Sequence, residues 1–147
     1  MGVASYKKLQ ILFRRGVGLD IDKSKAERII EHTERVLRDM FDIAMEKAER
    51  RKAEEVVLDD IPLTKGIKEY MKKFHEIEEE IDVEPIIAYL KLGKWVPLSK
   101  EVVEILPELV GTLLLLSGRV IKTISEDTRK PTATEVEKAL SAIDLIL

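Results

Sequence analysis

An unbroken amphipathic stretch from Lys23 to Lys52 is the feature that most constrains the fold. Its apolar positions recur at steps of three and four residues, a spacing that places them along one face of an α-helix. These positions are Ala26, Ile29, Ile30, Thr33, Val36, Leu37, Met40, Phe41, Ala44, Met45 and Ala48. Asp22 stands in front of the stretch and can accept a free backbone N–H at the helix start. At 1.5 Å per residue this helix would be about 45 Å long, so we expect it to be a central spine of the protein.

A second long helix is predicted from about Lys100 to Asp127, with Ser99 as its cap. Apolar residues occupy nearly every face of this helix, including the run Leu113–Leu116. A helix that is apolar all round is buried all round, whereas an amphipathic helix keeps one face in water. We therefore expect the second long helix to be buried and the first to flank it.

Shorter elements surround the two long helices in the same order twice. Each half is predicted to contain a short helix, a strand-like loop, a long helix, a second strand-like loop and a final short helix. Four short helices are predicted. The first is Ser5–Arg15, and the second begins at a cap at Asp59 or Asp60, has Pro62 in its first turn and is interrupted at Gly66. The third is Ile86–Leu90, and the fourth runs from a cap at Thr134 to Leu147. We expect one compact all-α domain over residues 1–147, with halves at 1–75 and 76–147.

Composition excludes several kinds of site. The chain has no cysteine, which removes thiol nucleophiles and disulfides, and its two histidines, His32 and His75, are too few for a histidine metal centre. The net charge is −3, and residues 1–75 carry 17 basic and 14 acidic side chains whereas residues 76–147 carry 8 and 14. A general binder of polyanions is usually strongly basic, so a nucleic-acid role here would depend on local clusters.

Composition also bears on where the protein works. Charged residues make up 36% of the chain, and cysteine and asparagine are absent, which favours a cytoplasmic protein of a thermophile over an ordinary charged helical protein. No signal-peptide pattern is present at the start of the sequence. The most apolar run, Leu109–Leu116, is far shorter than the roughly 20 residues of a membrane span. We expect a soluble protein with no membrane partner.

The sequence contains no recognisable catalytic motif. It lacks a Walker loop, a glycine-rich dinucleotide turn, a nucleophile elbow and a His–Glu metal pair. Asp59–Asp60 is better explained as a helix cap than as a metal pair, His32 as a buried or surface histidine than as a ligand, and Trp95 as a core residue than as a stacking platform for a base. We therefore predict a non-enzymatic protein with no catalytic residue, metal site or cofactor.

Three local segments resemble histone folds. Arg129–Val136 resembles the basic turn, extended residue and acidic cap that follow the long histone helix, and Arg51–Ile61 resembles the same segment with about two residues inserted. Leu12–Gly16 is similar to the end of the first histone helix. With the repeated order of elements, the chain resembles two tandem histone folds, archaeal-histone-like, such as occur in single chains of an uncharacterised bacterial family. The resemblance implies an intramolecular pseudo-dimer that folds as a monomer.

The resemblance also implies two paired loop sites. In histone pairs the first loop of one partner lies beside the second loop of the other, which here would join Leu19–Ile21 to Arg129–Thr132 and Lys91–Val96 to Arg51–Val57. In histones such loops and the ends of the first helices grip DNA phosphates without reading bases. The positions that match, with two lysines as looser candidates, are Arg14, Arg15, Arg51, Lys52, Lys91, Lys94, Arg129, Lys130 and Thr132.

Each of these candidates also has a purely structural interpretation. Basic residues at helix C-terminal ends interact favourably with the helix dipole whatever the function, and Arg129 could hold a carboxylate of the last helix such as Glu135. Glu54 and Glu55 would repel phosphate near one site, and Asp20 near the other. Two functions therefore remain open: weak, sequence-independent binding of double-stranded DNA, or a protein–protein interaction or scaffold role without nucleic acid.

Overall fold

A computed structural model describes residues 3–77, 80–90, 96–125 and 128–147. Within these ranges the regular structure consists of six α-helices and one 3₁₀ turn at Leu58–Asp60. The helices are α1 (Tyr6–Gly16), α2 (Lys23–Arg50), α3 (Lys65–Ile77), α4 (Val83–Leu90), α5 (Lys100–Ser125) and α6 (Ala133–Ile146). The predicted all-α class is confirmed. Among the described helices, none combines the length and apolar character needed to cross a membrane.

The first long helix, α2, begins as the sequence predicts and ends slightly earlier. The Asp22 carboxylate accepts a hydrogen bond from the Lys25 backbone N–H at 3.0 Å, which caps the helix start. Lys52 has a φ of 56°, in the left-handed region, so the helical conformation does not extend to this residue. The 28 residues of α2 span about 42 Å.

The second long helix, α5, is the centre of the fold. It packs against each of the other five helices in the described residues. Consecutive residues from Leu109 to Leu115 are buried, so no side of α5 is left to face water along this run. The predicted arrangement, with an apolar buried helix flanked by an amphipathic one, is confirmed.

Two glycines let other helices approach α5 closely. A Cβ placed on Gly111 would overlap the ring of Phe74 on α3, and one on Gly118 would lie 2.9 Å from the ring of Phe13 on α1. Since ordinary carbon contacts are 3.5–4.0 Å, the two aromatic rings occupy the space that a side chain at either glycine would need.

Three predicted helix starts are wrong in position. The helix predicted at Ile86–Leu90 begins earlier, at Val83. The third helix begins at Lys65, after Pro62, and the Thr64 hydroxyl accepts the Ile67 N–H at 3.2 Å; Gly66 lies inside this helix and does not break it. The last helix is capped by Thr132, whose hydroxyl accepts the Glu135 N–H at 3.1 Å, while Glu135 accepts the Thr132 N–H at 2.8 Å. This reciprocal pair satisfies two free donors, which explains why Thr132 and not Thr134 is the cap.

Candidate nucleic-acid interface

The loop before α2 lies against the loop before α6. The Asp20 backbone N–H donates to the Arg129 carbonyl at 2.7 Å, so the segments Leu19–Ile21 and Arg129–Thr132 are in contact at this point. Gly18, with φ of 67°, supplies the turn between α1 and this contact. We call Arg14, Asp20, Arg129 and Lys130 the first loop site.

Asp20 organises the charges of the first loop site. Its carboxylate accepts a hydrogen bond from Arg14 Nε at 2.9 Å and lies 3.9 Å from Arg129 Nε. The hydrogen bond from Arg14 is the main cause that lowers the pKa of Asp20 below its usual value; desolvation opposes it, and the charges of Arg129, Arg14 and Lys130 add to the lowering. The carboxylate is therefore ionised at neutral pH and offsets part of the positive charge. Arg129 pairs with Asp20 across the loop contact, and Glu135, its predicted partner, caps α6 instead.

A second loop contact lies at the other end of α2. Val56 and Leu98 form an isolated parallel β-bridge, with the Val56 N–H donating to the Pro97 carbonyl at 2.8 Å and the Ser99 N–H donating to the Val56 carbonyl at 2.9 Å. The contact joins the loop after α2 to the residues just before α5, slightly beyond the predicted segment Lys91–Val96. Lys91, Lys94 and Trp95 lie outside the described residues.

Arg51 is held by a buried carboxylate beside this bridge. Its Nε donates to Asp60 Oδ1 at 3.0 Å and its Nη2 donates to Asp60 Oδ2. Asp60 is only 3% exposed and also accepts the Val57 N–H at 2.9 Å, at the start of the 3₁₀ turn Leu58–Asp60. The prediction that it caps the helix with Pro62 in its first turn is wrong, because that helix begins at Lys65. The hydrogen bonds from Arg51 and Val57 lower the pKa of Asp60, and the carboxylate raises the pKa of Arg51. Two of the five guanidinium N–H donors are thus used, one on Nε and one on Nη2, which leaves three donors for any phosphate.

Three other cations surround Arg51 at the end of α2. Lys47, Arg50 and Lys52 are exposed, and the first two border an open surface pocket of about 430 Å³ that also includes Arg51 and Asp60. We call Lys47, Arg50, Arg51 and Lys52 the second loop site. Lys47 was not among the predicted phosphate-binding residues. Its spacing was a signal, because residues three and four apart share a helix face and Lys47 stands at that spacing from Arg50 and Arg51.

Two further predicted phosphate-binding residues, Arg15 and Thr132, differ in how far their side chains are already engaged. Arg15 is exposed in the last turn of α1, next to Arg14. Thr132 uses its hydroxyl to cap α6, although the hydroxyl retains a donor. The two loop sites lie at opposite ends of α2 and are therefore separated by about the length of that helix, ~42 Å.

His32 is buried and pairs with a carboxylate. His32 is 1% exposed and its Nε2 lies 2.7 Å from Asp144 Oδ1, as expected for a core histidine with a polar partner. Among the described residues, no group of three or more histidine, aspartate or glutamate side chains is arranged to hold a metal ion.

Fold and sites together define an all-helical protein in which two long helices are joined through two loop contacts. The chain belongs to the family described as a domain of unknown function (DUF1931), whose model matches residues 9–144. Two relatives are uncharacterised proteins of Aquifex aeolicus. One is 25% identical, and the match covers 96% of this chain and 83% of the relative. The other is 28% identical, and the match covers 82% of this chain and 79% of the relative.

Two crystal structures share the fold. A protein from Thermus thermophilus superposes with a TM-score of 0.93 at 24% identity, over 99% of both chains. A protein from Aquifex aeolicus superposes with a TM-score of 0.81 at 22% identity, over 99% of this chain and 97% of that one. These similarities establish the arrangement of the helices and leave the function open.

Proposed function

We propose that this chain is a histone-fold pair in one polypeptide that binds duplex DNA weakly and without sequence preference through its two loop sites. The order short helix, long helix, short helix occurs in α1–α2–α3 and again in α4–α5–α6. The crossed loop contacts support the same proposal, because each one joins a loop of the first half to a loop of the second. Each half provides the loop that contacts a loop of the other half, so no second copy of the chain is required and we expect a monomer.

The observation that carries the DNA proposal is the placement of cations at both loop contacts. The first loop site presents Arg14, Arg129 and Lys130 at the start of α2, and the second presents Lys47, Arg50 and Lys52 at its end. A separation of about 42 Å is comparable with the 34–36 Å helical repeat of B-DNA, so one duplex could contact both sites. Arginine, lysine and backbone N–H groups are the usual partners of phosphate oxygens.

The affinity should be low. The net charge is −3, and the ionised Asp20 lies among the cations of the first loop site. We expect binding no tighter than the ~10⁻⁴–10⁻⁶ M of non-specific protein–DNA contacts at physiological salt. The same affinity is expected for any duplex sequence, because phosphates carry no information about the bases.

The test is a fluorescence anisotropy titration of random duplex DNA at several salt concentrations. The test variant replaces Lys52, Arg129 and Lys130 with alanine, and the control variant replaces Lys65, Lys72 and Lys138, which removes the same charge from helices α3 and α6. Each phosphate contact contributes about 0.9 to the log–log salt slope, so the test variant should flatten the slope by roughly two to three units and the control should not.

Two outcomes would contradict the DNA proposal. One is no binding by the wild type at low salt with excess protein. The other is an equal effect of the two triple variants, which would mean that only net charge matters. The first result favours the second candidate, a protein–protein interaction module, which is supported by the excess of 14 acidic over 8 basic residues in 76–147. The second result would show that the loop sites are not the DNA-binding sites.

The other functional expectations belong to the same proposal. We infer a non-enzymatic role, because the two loop sites consist of cations and the paired carboxylate Asp20, with no nucleophile–base pair among the described residues. The cytoplasmic location and thermophile origin favoured by composition remain predictions.

A further inference from the structure

The Asp20 carboxylate lies between the two arginines of the first loop site. Its Oδ1 accepts the Arg14 Nε–H at 2.9 Å, and its Oδ2 lies 3.9 Å from Arg129 Nε. Each oxygen therefore faces a different guanidinium, one from the last turn of α1 and the other from the loop before α6. Arginine makes the same charge-assisted contacts with phosphate oxygens, so the carboxylate occupies the place where this cluster would hold a phosphate.

Solvent reaches all three side chains of this bridge. The side chain of Asp20 is 30% exposed, and those of Arg14 and Arg129 are 57% and 72% exposed. Ion pairs this exposed contribute little to stability, so an incoming anion can replace the carboxylate at small cost. Asp60 at the second loop site differs, because it is buried and also accepts a backbone N–H.

The loop contact itself uses the backbone of Asp20. The Asp20 N–H donates to the Arg129 carbonyl, and this hydrogen bond does not involve the carboxylate. An asparagine at this position would keep the backbone N–H and nearly the same shape. The negative charge can therefore be removed while the two loops stay in contact.

We propose that the Asp20 carboxylate is an internal phosphate mimic that closes the first loop site, and that a DNA phosphate opens the site by taking Arg14 from it. This proposal rests on the DNA proposal for the identity of the ligand, whereas the exchange itself can be tested with a free anion. In the wild type, Arg14 must give up its bond to Asp20 in order to contact a phosphate, and Asp20 repels that phosphate. Both effects reduce the affinity of the first loop site.

The test variant is Asp20→Asn, which removes the charge. Asp39→Asn is the matched control, because Asp39 is exposed on α2 and lies about 24 Å along the helix from its first residue. That distance exceeds the Debye length of about 10 Å at 0.1 M salt, so the charge of Asp39 is screened from the first loop site. Arg14→Gln, alone and combined with Asp20→Asn, removes the cation that the carboxylate holds.

Two probes are used with each variant. Random duplex DNA is titrated by fluorescence anisotropy at several salt concentrations, which gives the affinity and its salt slope. Inorganic pyrophosphate is titrated by NMR, which follows the Nε–Hε signals of Arg14 and Arg129. The second probe reports on anion binding at this site whether or not the protein binds DNA.

We expect Asp20→Asn to strengthen binding of both probes. One additional phosphate contact contributes about 0.9 to the log–log salt slope, which corresponds to about eightfold in affinity at 0.1 M salt. DNA should therefore bind about three- to tenfold more tightly, with a slope steeper by about one unit, and Asp39→Asn should change the affinity less than twofold. In the Arg14→Gln background the slope should stay nearly unchanged, because Asp20→Asn then releases no hydrogen-bonded arginine. The arginine signals should shift at several-fold lower pyrophosphate concentration in Asp20→Asn than in Asp39→Asn.

Two results would overturn the proposal. One is pyrophosphate binding of equal affinity in Asp20→Asn and Asp39→Asn. The other is a salt slope of DNA binding that Asp20→Asn leaves unchanged, or steepens equally with and without Arg14, which would mean that Arg14 is not released. Failure of the DNA proposal gives a different pattern: no variant binds DNA at low salt, while pyrophosphate still binds more tightly to Asp20→Asn. That pattern would support the exchange at Asp20 with a phosphate ligand other than DNA.

Discussion

Replacing Gly111 with alanine tests the close approach of α3 to α5. The new Cβ would overlap three ring carbons of Phe74, and the farthest of the three would be only 2.7 Å away. Overpacking of this kind costs about 1–3 kcal/mol, and displacement of the ring would forfeit part of the ~1.5–3 kcal/mol gained by burying a phenylalanine. Alanine recovers about 1 kcal/mol of helix propensity. We expect a net loss of about 1–3 kcal/mol in the free energy of unfolding.

Urea denaturation measures this loss, with Gly66→Ala as the control. Gly66 is exposed on α3, and a Cβ there would meet nothing nearer than the Thr64 hydroxyl at 4.0 Å, so the substitution should be neutral or stabilising by up to ~1 kcal/mol. In a Phe74→Leu background the cost of Gly111→Ala should shrink, because the clashing ring is gone. The packing argument is refuted if Gly111→Ala is as stable as the wild type. It is also refuted if Gly111→Ala lowers the free energy of unfolding equally in the wild-type and Phe74→Leu backgrounds.

Other substitutions test the core, a cap and the buried ion pair. Leu113→Ala should cost about 2–5 kcal/mol and Glu31→Ala, on the exposed face of α2, a few tenths; equal losses in urea would show that the core is misplaced. Thr132→Ala should cost about 1 kcal/mol by urea denaturation, and an unchanged midpoint would contradict its capping role. Arg51 keeps the pKa of Asp60 low in the folded state, so stability from this carboxylate is complete above its unfolded pKa of about 3.9 and is lost as pH falls through the folded value. Asp60→Asn should therefore flatten the acid limb of a stability–pH profile, and an unchanged limb would contradict the assignment.

Periodicity and local chemistry predict the helices well because both act within a few residues. The steps of three and four along α2 set its buried face, and Asp22 marks its start. Glu135, three residues after Thr132, was also a readable signal, since the capping box has this spacing. This spacing favours Thr132 over Thr134 as the cap of α6. The predicted break at Gly66 failed because a glycine in an exposed first turn costs little, so the helix includes it.

The carboxylates that pair with the cations of the loop sites could not be predicted from neighbouring residues in the sequence. Arg51 and Asp60 are nine residues apart, and Asp60 lies in the 3₁₀ turn Leu58–Asp60, which places its carboxylate beside the guanidinium. Arg129 meets Asp20 only because two loops from different halves lie together. Periodicity places a charge on a surface, but it carries no information about which opposite charge the fold brings beside it.

Because some cations are already paired with carboxylates, the number of basic residues does not give the number of DNA phosphate contacts. A site counted from sequence would include Arg51 as a full phosphate contact, yet two of its five N–H donors are bound to the buried carboxylate of Asp60. Neutralising Arg51 would therefore weaken the fold and the interface together, and the two losses could not be separated. Lys52, Arg129 and Lys130 avoid this difficulty because all three are exposed and none makes a close bond to a buried group in the described residues. The salt slope of DNA binding should accordingly follow the cations that the fold leaves uncommitted, and the total number of lysines and arginines should not predict it.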